Sequence, residues 1–201
     1  MVATLEKSQQ QTYTPEEYFA IEETAEFKNE YRQGQIIPMT GGTVTHNQIS
    51  GNLYLALRLG LNGKNFNVFI GDVRLWIPDA SVYTYPDVMV ISDRVEYHNN
   101  RKDTIVNPQI IIEVLPRSSR RYDRGEQFDY YRTIPSFQEY ILVEQSQTKI
   151  EQFVKTDRKR WLYREDDAED TILSFETLQL EVPITEVYNK VELGEEEAAS
   201  E

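Results

Sequence analysis

Apolar positions along this chain follow two periods, and the elements can be laid out from where each one holds. In "THNQISGNLYLALRLGLNG", Ile49, Leu53, Ala56, Leu57 and Gly60 recur every three or four residues and Asn62-Gly63 follows, which predicts a long helix with one buried face and a glycine-type stop. Thr14-Pro15-Glu16-Glu17 predicts a shorter helix: a threonine N-cap, proline at the first helical position and acids in the first turn, with Tyr18, Phe19 and Ile21 as its apolar face. "KNEYRQGQIIPMTGG" reads as a hairpin turned at Gln33-Gly34. "NVFIGDVRLWI", "YPDVMVIS" and "QIIIEVL" are rich in β-branched and aromatic residues and are separated by Pro, Asn and Asp, so each predicts a strand. "DRGEQFDYYRTI" opens on Asp123 as a cap and stops at Pro135, predicting another helix. "EYILVEQ", "KIEQFVK" and "RWLYRE" predict further strands, two of them alternating apolar with polar as an exposed antiparallel hairpin does. This order predicts an α/β (α+β) domain around one mixed sheet.

The 201 residues are enough for one sizeable core, and the composition of the two ends sets expected boundaries: a polar, Gln-rich tail over 1–12, one domain over 13–192 and an acidic tail over 193–201. Net charge is −13, from 34 acidic and 21 basic residues, which argues against a broad electropositive surface for polyanions. The absence of cysteine removes disulfides, thiolate metal sites and cysteine nucleophiles. "MVATLEKSQQQ" lacks the apolar core of a signal peptide and no later stretch has the length of a membrane span, so a soluble cytoplasmic protein with no membrane partner is expected.

Two apolar strands each carry one acid. Asp87 precedes Val88-Met89-Val90-Ile91, and Glu113 follows Ile110-Ile111-Ile112. A buried carboxylate is costly unless something compensates it. One compensation is an ion pair with Arg117, Arg120, Arg121 or Arg124, all within a loop of Glu113. The other is a divalent cation: if the two strands are neighbours, the acids converge at one sheet edge, where magnesium takes one or two carboxylates and keeps several waters.

Pro86-Asp87, a spacer and then Glu113-Val114-Leu115, together with "NEYRQG", the helix-leading His46 and "RRYDRGE" in this order, resemble the PD-(D/E)XK nuclease superfamily and within it the "putative restriction endonuclease" branch. The likeness runs from about Tyr18 to about Gln145. It implies a restriction endonuclease-like mixed central sheet flanked by helices with a peripheral antiparallel hairpin. It also implies Asp87 and Glu113 as ligands of one Mg²⁺ or Mn²⁺ ion, phosphodiester hydrolysis of DNA as the reaction, and a homodimer, since enzymes that cut both strands commonly pair subunits about a two-fold axis.

The chain departs from that pattern where a catalytic lysine is expected. Leu115 stands two residues after Glu113, and Gln127 stands where the branch carries its lysine on the following helix, with hydrogen-bonding capacity but no charge. Arg121 or Arg124 would be the substitute cation, although a guanidinium cannot act as a base. Two functional classes follow. One is a Mg-dependent endonuclease with Asp87, Glu113 and Gln127 at its centre, degenerate at Gln127. The other is a non-catalytic nucleic-acid or protein interaction module that keeps the fold. A weaker third is a metal hydrolase acting on a small phosphorylated substrate. Among accessory positions, Glu30 is either a metal or water ligand or a surface strand residue. His46 contacts a phosphate or metal, or caps the long helix. Asp72 pairs with Arg74 on one strand face or is a third acid at the site.

Overall fold

The computed structural model describes residues 11–115 and 122–193; the outer parts of both expected tails, and Arg117, Arg120 and Arg121, lie outside them. The first helix, α1 (Pro15–Glu22), starts as its sequence dictates: Thr14 and Glu17 form a reciprocal capping box and Pro15 needs no amide partner. The hairpin β1 (Asn29–Arg32) and β2 (Gln35–Pro38) turns at Gln33-Gly34, both left-handed at φ 50° and 91°, the geometry that follows strand twist most closely. The long helix α2 (Val44–Gly60) is capped by Thr43, whose hydroxyl accepts from the His46 amide; His46 is therefore not the cap.

The stretch read as one strand, "NVFIGDVRLWI", is two. Gly71, left-handed at φ 68°, breaks it into β3 (Phe66–Ile70) and β4 (Arg74–Ile77), which belong to different sheets. The remaining strands are β5 (Val82–Thr84), β6 (Val88–Ser92), β7 (Thr104–Ile105), β8 (Ile110–Leu115), β9 (Glu139–Glu144), β10 (Lys149–Asp157), β11 (Arg160–Asp167), β12 (Ile172–Phe175) and β13 (Leu180–Pro183). From Tyr122 the chain enters a π-helical turn over Asp123–Gln127 that runs into α3 (Phe128–Tyr131), and α4 (Ile184–Val187) follows β13.

A six-stranded mixed sheet in the order β11-β10-β9-β8-β6-β3 is the centre. Its side chains alternate between two cores, as period two requires. Val88, Val90, Ile110, Ile112 and Val114 meet Ile49, Leu53 and Leu57 of α2, with the β12–β13 hairpin and α4 completing that side. Met89, Ile91, Ile111, Leu115 and Leu142 face the other way, toward Leu75, Ile77 and Val82 of the second sheet (β2-β1-β5-β4-β7) and toward Phe128 and Tyr131. Burial on both faces is why β8 reads as an unbroken apolar run rather than an alternating one. The architecture is thus a mixed α/β fold with a central sheet flanked by helices and a separate antiparallel hairpin. Among the described residues, no helix is long and apolar enough to cross a membrane.

Candidate functional site

Strands β6 and β8 are antiparallel neighbours, with Val88 opposite Ile112. One step further along this register sets Asp87 opposite Glu113. The backbone holds them there: the Asp87 amide donates to Glu113 Oε2 at 3.2 Å and the Val114 amide donates to Asp87 Oδ2 at 2.8 Å. Parity sends Glu113 to the same face as Ile111 and Leu115, under the third helix, where Gln127 Nε2 donates to its Oε1 at 2.9 Å and the Tyr131 hydroxyl donates to the same oxygen at 2.7 Å. Gln127 Nε2 also lies 2.6 Å from the Tyr131 oxygen, so the three side chains close into one buried cluster.

Asp87 is the more open of the two acids: it lines a cleft of about 670 Å³ with Lys28, His46, Asn47, Tyr85 and Gln145, whereas Glu113 and Gln127 are buried beside it. His46 Nε2 lies 3.0 Å from Asp87 Oδ2. Gly42 backs this imidazole so closely that a Cβ there would stand 2.8 Å from Nδ1. Burial pushes the His46 pKa down, but the Asp87 hydrogen bond and charge, with a further push from Asp123, leave it above the ordinary histidine value. Glu113 is held well above the usual carboxylate range, by burial first and then by the like charges of Asp87 and Asp123; the donors from Tyr131 and the Asp87 amide offset only part of this.

Asp123, whose sequence position predicts only a helix cap, belongs to the site. It is 7% exposed, and its charge is felt at both Glu113 and His46. The available signal was its place four residues before Gln127. In a π-helical turn, with more residues per turn than an α-helix, position 123 stacks over 127 and position 124 rotates away. That rotation corrects the expectation for Arg124. Its Nε bonds Glu151 at 2.6 Å and its guanidinium bonds Glu144 at 2.7 Å, so it is not aimed at the acids. Asp72 is corrected as well: it stands in the turn between two sheets and pairs with Lys28, while Arg74 is held by Asp103 and the Tyr85 hydroxyl. Glu30 is not a surface strand residue. It is 7% exposed on β1 and bonds Thr84 and Arg32, and Arg32 lies 3.8 Å over the Tyr122 ring at the entry to the π turn. Neither Glu30 nor Arg124 is hydrogen-bonded to Asp87 or Glu113. Among the described residues no group of three or more histidines, aspartates or glutamates is arranged to hold a metal ion.

The site falls within a match to a known family. Residues 15–185 match the family described as "Putative restriction endonuclease". An uncharacterized protein of Synechocystis sp. is 36% identical over 167 residues, 83% of this chain and 94% of the relative. A second from the same organism is 34% identical over 177 residues, 87% of this chain and 90% of the relative. The fold is shared with the crystal structure of a protein described as a putative nuclease from Anabaena variabilis ATCC 29413, with a TM-score of 0.68 at 15% identity over 86% of this chain and 96% of that one. Asp87 and Glu113 on adjacent strands of a mixed sheet, the shared fold and the family match together establish that the chain belongs to the "Putative restriction endonuclease" family of the PD-(D/E)XK superfamily.

Proposed function

We propose that this chain is an interaction module on a nuclease fold, binding nucleic acid or protein without cutting, with the acid pair kept and the driving cation lost. The closure of Glu113 carries this reading. Both its oxygens accept from the protein, and its partners on the helix are neutral, the Tyr131 hydroxyl and the Gln127 amide. Phosphodiester hydrolysis is accelerated by charge complementary to the transition state, and an amide supplies none. Arg124 does not replace it, being spent on Glu144 and Glu151.

The superfamily is associated with divalent metals, and the donor set here meets that requirement in part. Asp87 and Glu113 offer hard carboxylate oxygens, the right kind for Mg²⁺ or Mn²⁺, but three of the four already accept hydrogen bonds from the protein. Asp87 and Glu113 are the residues that would hold a weakly bound, largely hydrated ion. Such an ion polarises a phosphoryl oxygen and lowers the pKa of its water.

An active endonuclease is the second reading, favoured by the juxtaposition of the two acids. Incubation of single- and double-stranded DNA with magnesium or manganese separates the two. Wild type is expected to be silent. Gln127→Lys should gain cleavage, because an ammonium at that place meets the acids from the helix, and Gln127→Lys/Asp87→Asn should lose it again. Wild-type cleavage abolished by Asp87→Asn would establish the endonuclease instead. Manganese calorimetry on Asp87→Asn and Glu113→Gln reports directly on the proposed ligands: heat that survives both changes places any metal elsewhere.

A further inference from the structure

The tip of the β10–β11 hairpin carries charge of the opposite sign to the molecule as a whole. Residues 155–164, "KTDRKRWLYR", hold five of the chain's 21 basic residues and one of its 34 acids, and of these cations Arg164 is paired with Asp166 beyond the tip. That acid is committed to the turn: Asp157 Oδ1 accepts from the amides of Lys159 at 2.8 Å and Arg160 at 3.0 Å, and Oδ2 pairs with the Arg160 guanidinium. It shapes the tip while Arg158 and Lys159 remain exposed beside it and the Arg160 side chain stays 80% exposed.

The tip also projects. Strand pairing of β10 with β9 ends at Val154 opposite Glu139, with one further bond from the Lys155 amide to the Gln138 carbonyl at 2.8 Å, so the residues after Lys155 extend past the central sheet as a short two-stranded ribbon. A register shift between Lys155 and Asp157 adds local twist. The ribbon rises from an aromatic bed. Trp161 packs on Phe128 and Phe137 at centroid distances of 5.1 and 5.4 Å, Lys155 lies 5.9 Å over Trp161, and Arg132 lies 5.2 Å over Phe128. Arg132, which is also paired with Asp129, thereby joins Lys155 along the root of the ribbon. Glu113 lies opposite Leu142 of β9, which is opposite Glu151 of β10, so the tip is at the other end of the sheet from the acid pair, roughly 20 Å away at ~3.3 Å per residue.

We propose that this hairpin is a contact surface for duplex DNA, remote from the acid pair. A two-stranded ribbon fits the ~12 Å width of a major groove, and cations at its tip and root then face phosphates on both walls. Salt-dependent, sequence-independent attachment is what such a surface provides, and it offers a net-acidic protein a local point of approach. The choice of nucleic acid as partner rests on the interaction-module reading; the surface itself does not involve Asp87, Glu113 or Gln127.

The test is fluorescence anisotropy of the full chain with a labelled 20-base-pair duplex of mixed sequence, in EDTA, over salt from about 50 to about 200 mM. Wild type should bind with an affinity that falls by ~0.9 log units per log unit of salt for each phosphate engaged. Arg158→Ala/Lys159→Ala should lower that slope by about 2, and Arg158→Glu/Lys159→Glu should weaken binding more than tenfold at the lowest salt, with thermal unfolding unchanged because the turn is held by backbone amides and neither side chain shapes it. Absence of wild-type binding at the lowest salt, or binding indifferent to both double variants, overturns the proposal. Equal, hairpin-dependent binding of poly-glutamate also overturns it, in favour of an acidic polypeptide partner. Because EDTA silences metal chemistry, failure here leaves the Gln127→Lys cleavage assay to judge the acid pair independently.

Discussion

The Tyr131 hydroxyl, 2.7 Å from Glu113 Oε1, is fully buried and serves a carboxyl whose neighbours are Asp87 and Asp123. Tyr131→Phe removes the donor without changing the packing of the ring. The loss should be about 1–3 kcal/mol of unfolding free energy by urea denaturation, the range for stranding a buried polar group. A neutral result would mean that Gln127 alone satisfies the carboxyl. Asp103 provides a pH signature away from the site. Hydrogen bonds from Arg101, then from Thr104, and the Arg74 charge hold its pKa at about 2 against the opposing effect of burial. Its folded value lies below the unfolded one, so its contribution to stability is present above the ordinary aspartate range and is lost as pH falls toward about 2. Arg101→Gln should move the Asp103 carboxyl midpoint up toward ordinary aspartate in a carbon-detected NMR titration; an unmoved midpoint would assign the depression to Arg74 and Thr104.

At the scale of elements, local signals are legible in the sequence where they are strong and short in range. The β1–β2 turn was visible as Gln-Gly between alternating runs, and its first residue is the weaker choice, since glutamine at φ 50° bears the left-handed penalty that asparagine largely escapes. Gln33→Asn should therefore stabilise the protein by roughly 0.5–1 kcal/mol, part of the ~1–2 kcal/mol a left-handed residue costs, read as a higher denaturation midpoint with unchanged slope. The π turn was not legible. Nothing in "DRGEQ" distinguishes five residues of wide helix from α-helix, and the difference decides that Asp123 rather than Arg124 lies over Gln127. The β12–β13 hairpin and α4 are not legible either. Their four-residue runs are too short for periodicity to register, and they are held by packing Leu173, Phe175, Val182 and Val187 against α2 and the central sheet.

For the whole molecule, the two sheets and the third helix share one core. Leu75, Ile77 and Val82 of the second sheet pack with Met89, Ile111 and Leu142 of the central one, and Phe128 and Tyr131 join them. Melting one sheet would expose the inner face of the other. We therefore expect a single cooperative transition, with calorimetric and van 't Hoff enthalpies in agreement. Two resolved transitions would make the second sheet an independent unit and contradict the expected single domain over residues 13–192.

What the sequence by itself determined is local or period-based: the cap of α1, the hairpin turn, the face of α2, the strands holding Asp87 and Glu113, and the departure at Gln127. These depend on propensity and spacing within a few residues, which a single chain displays openly. The split of "NVFIGDVRLWI" between two sheets, the pairing of Asp72 with Lys28 and the diversion of Arg124 to Glu144 and Glu151 were decided only by tertiary structure. So was the exposure of Asp87 to the cleft while Glu113 is buried. A side chain's partner depends on which strand folds beside it and on the rotation of its helix, and neither quantity is local.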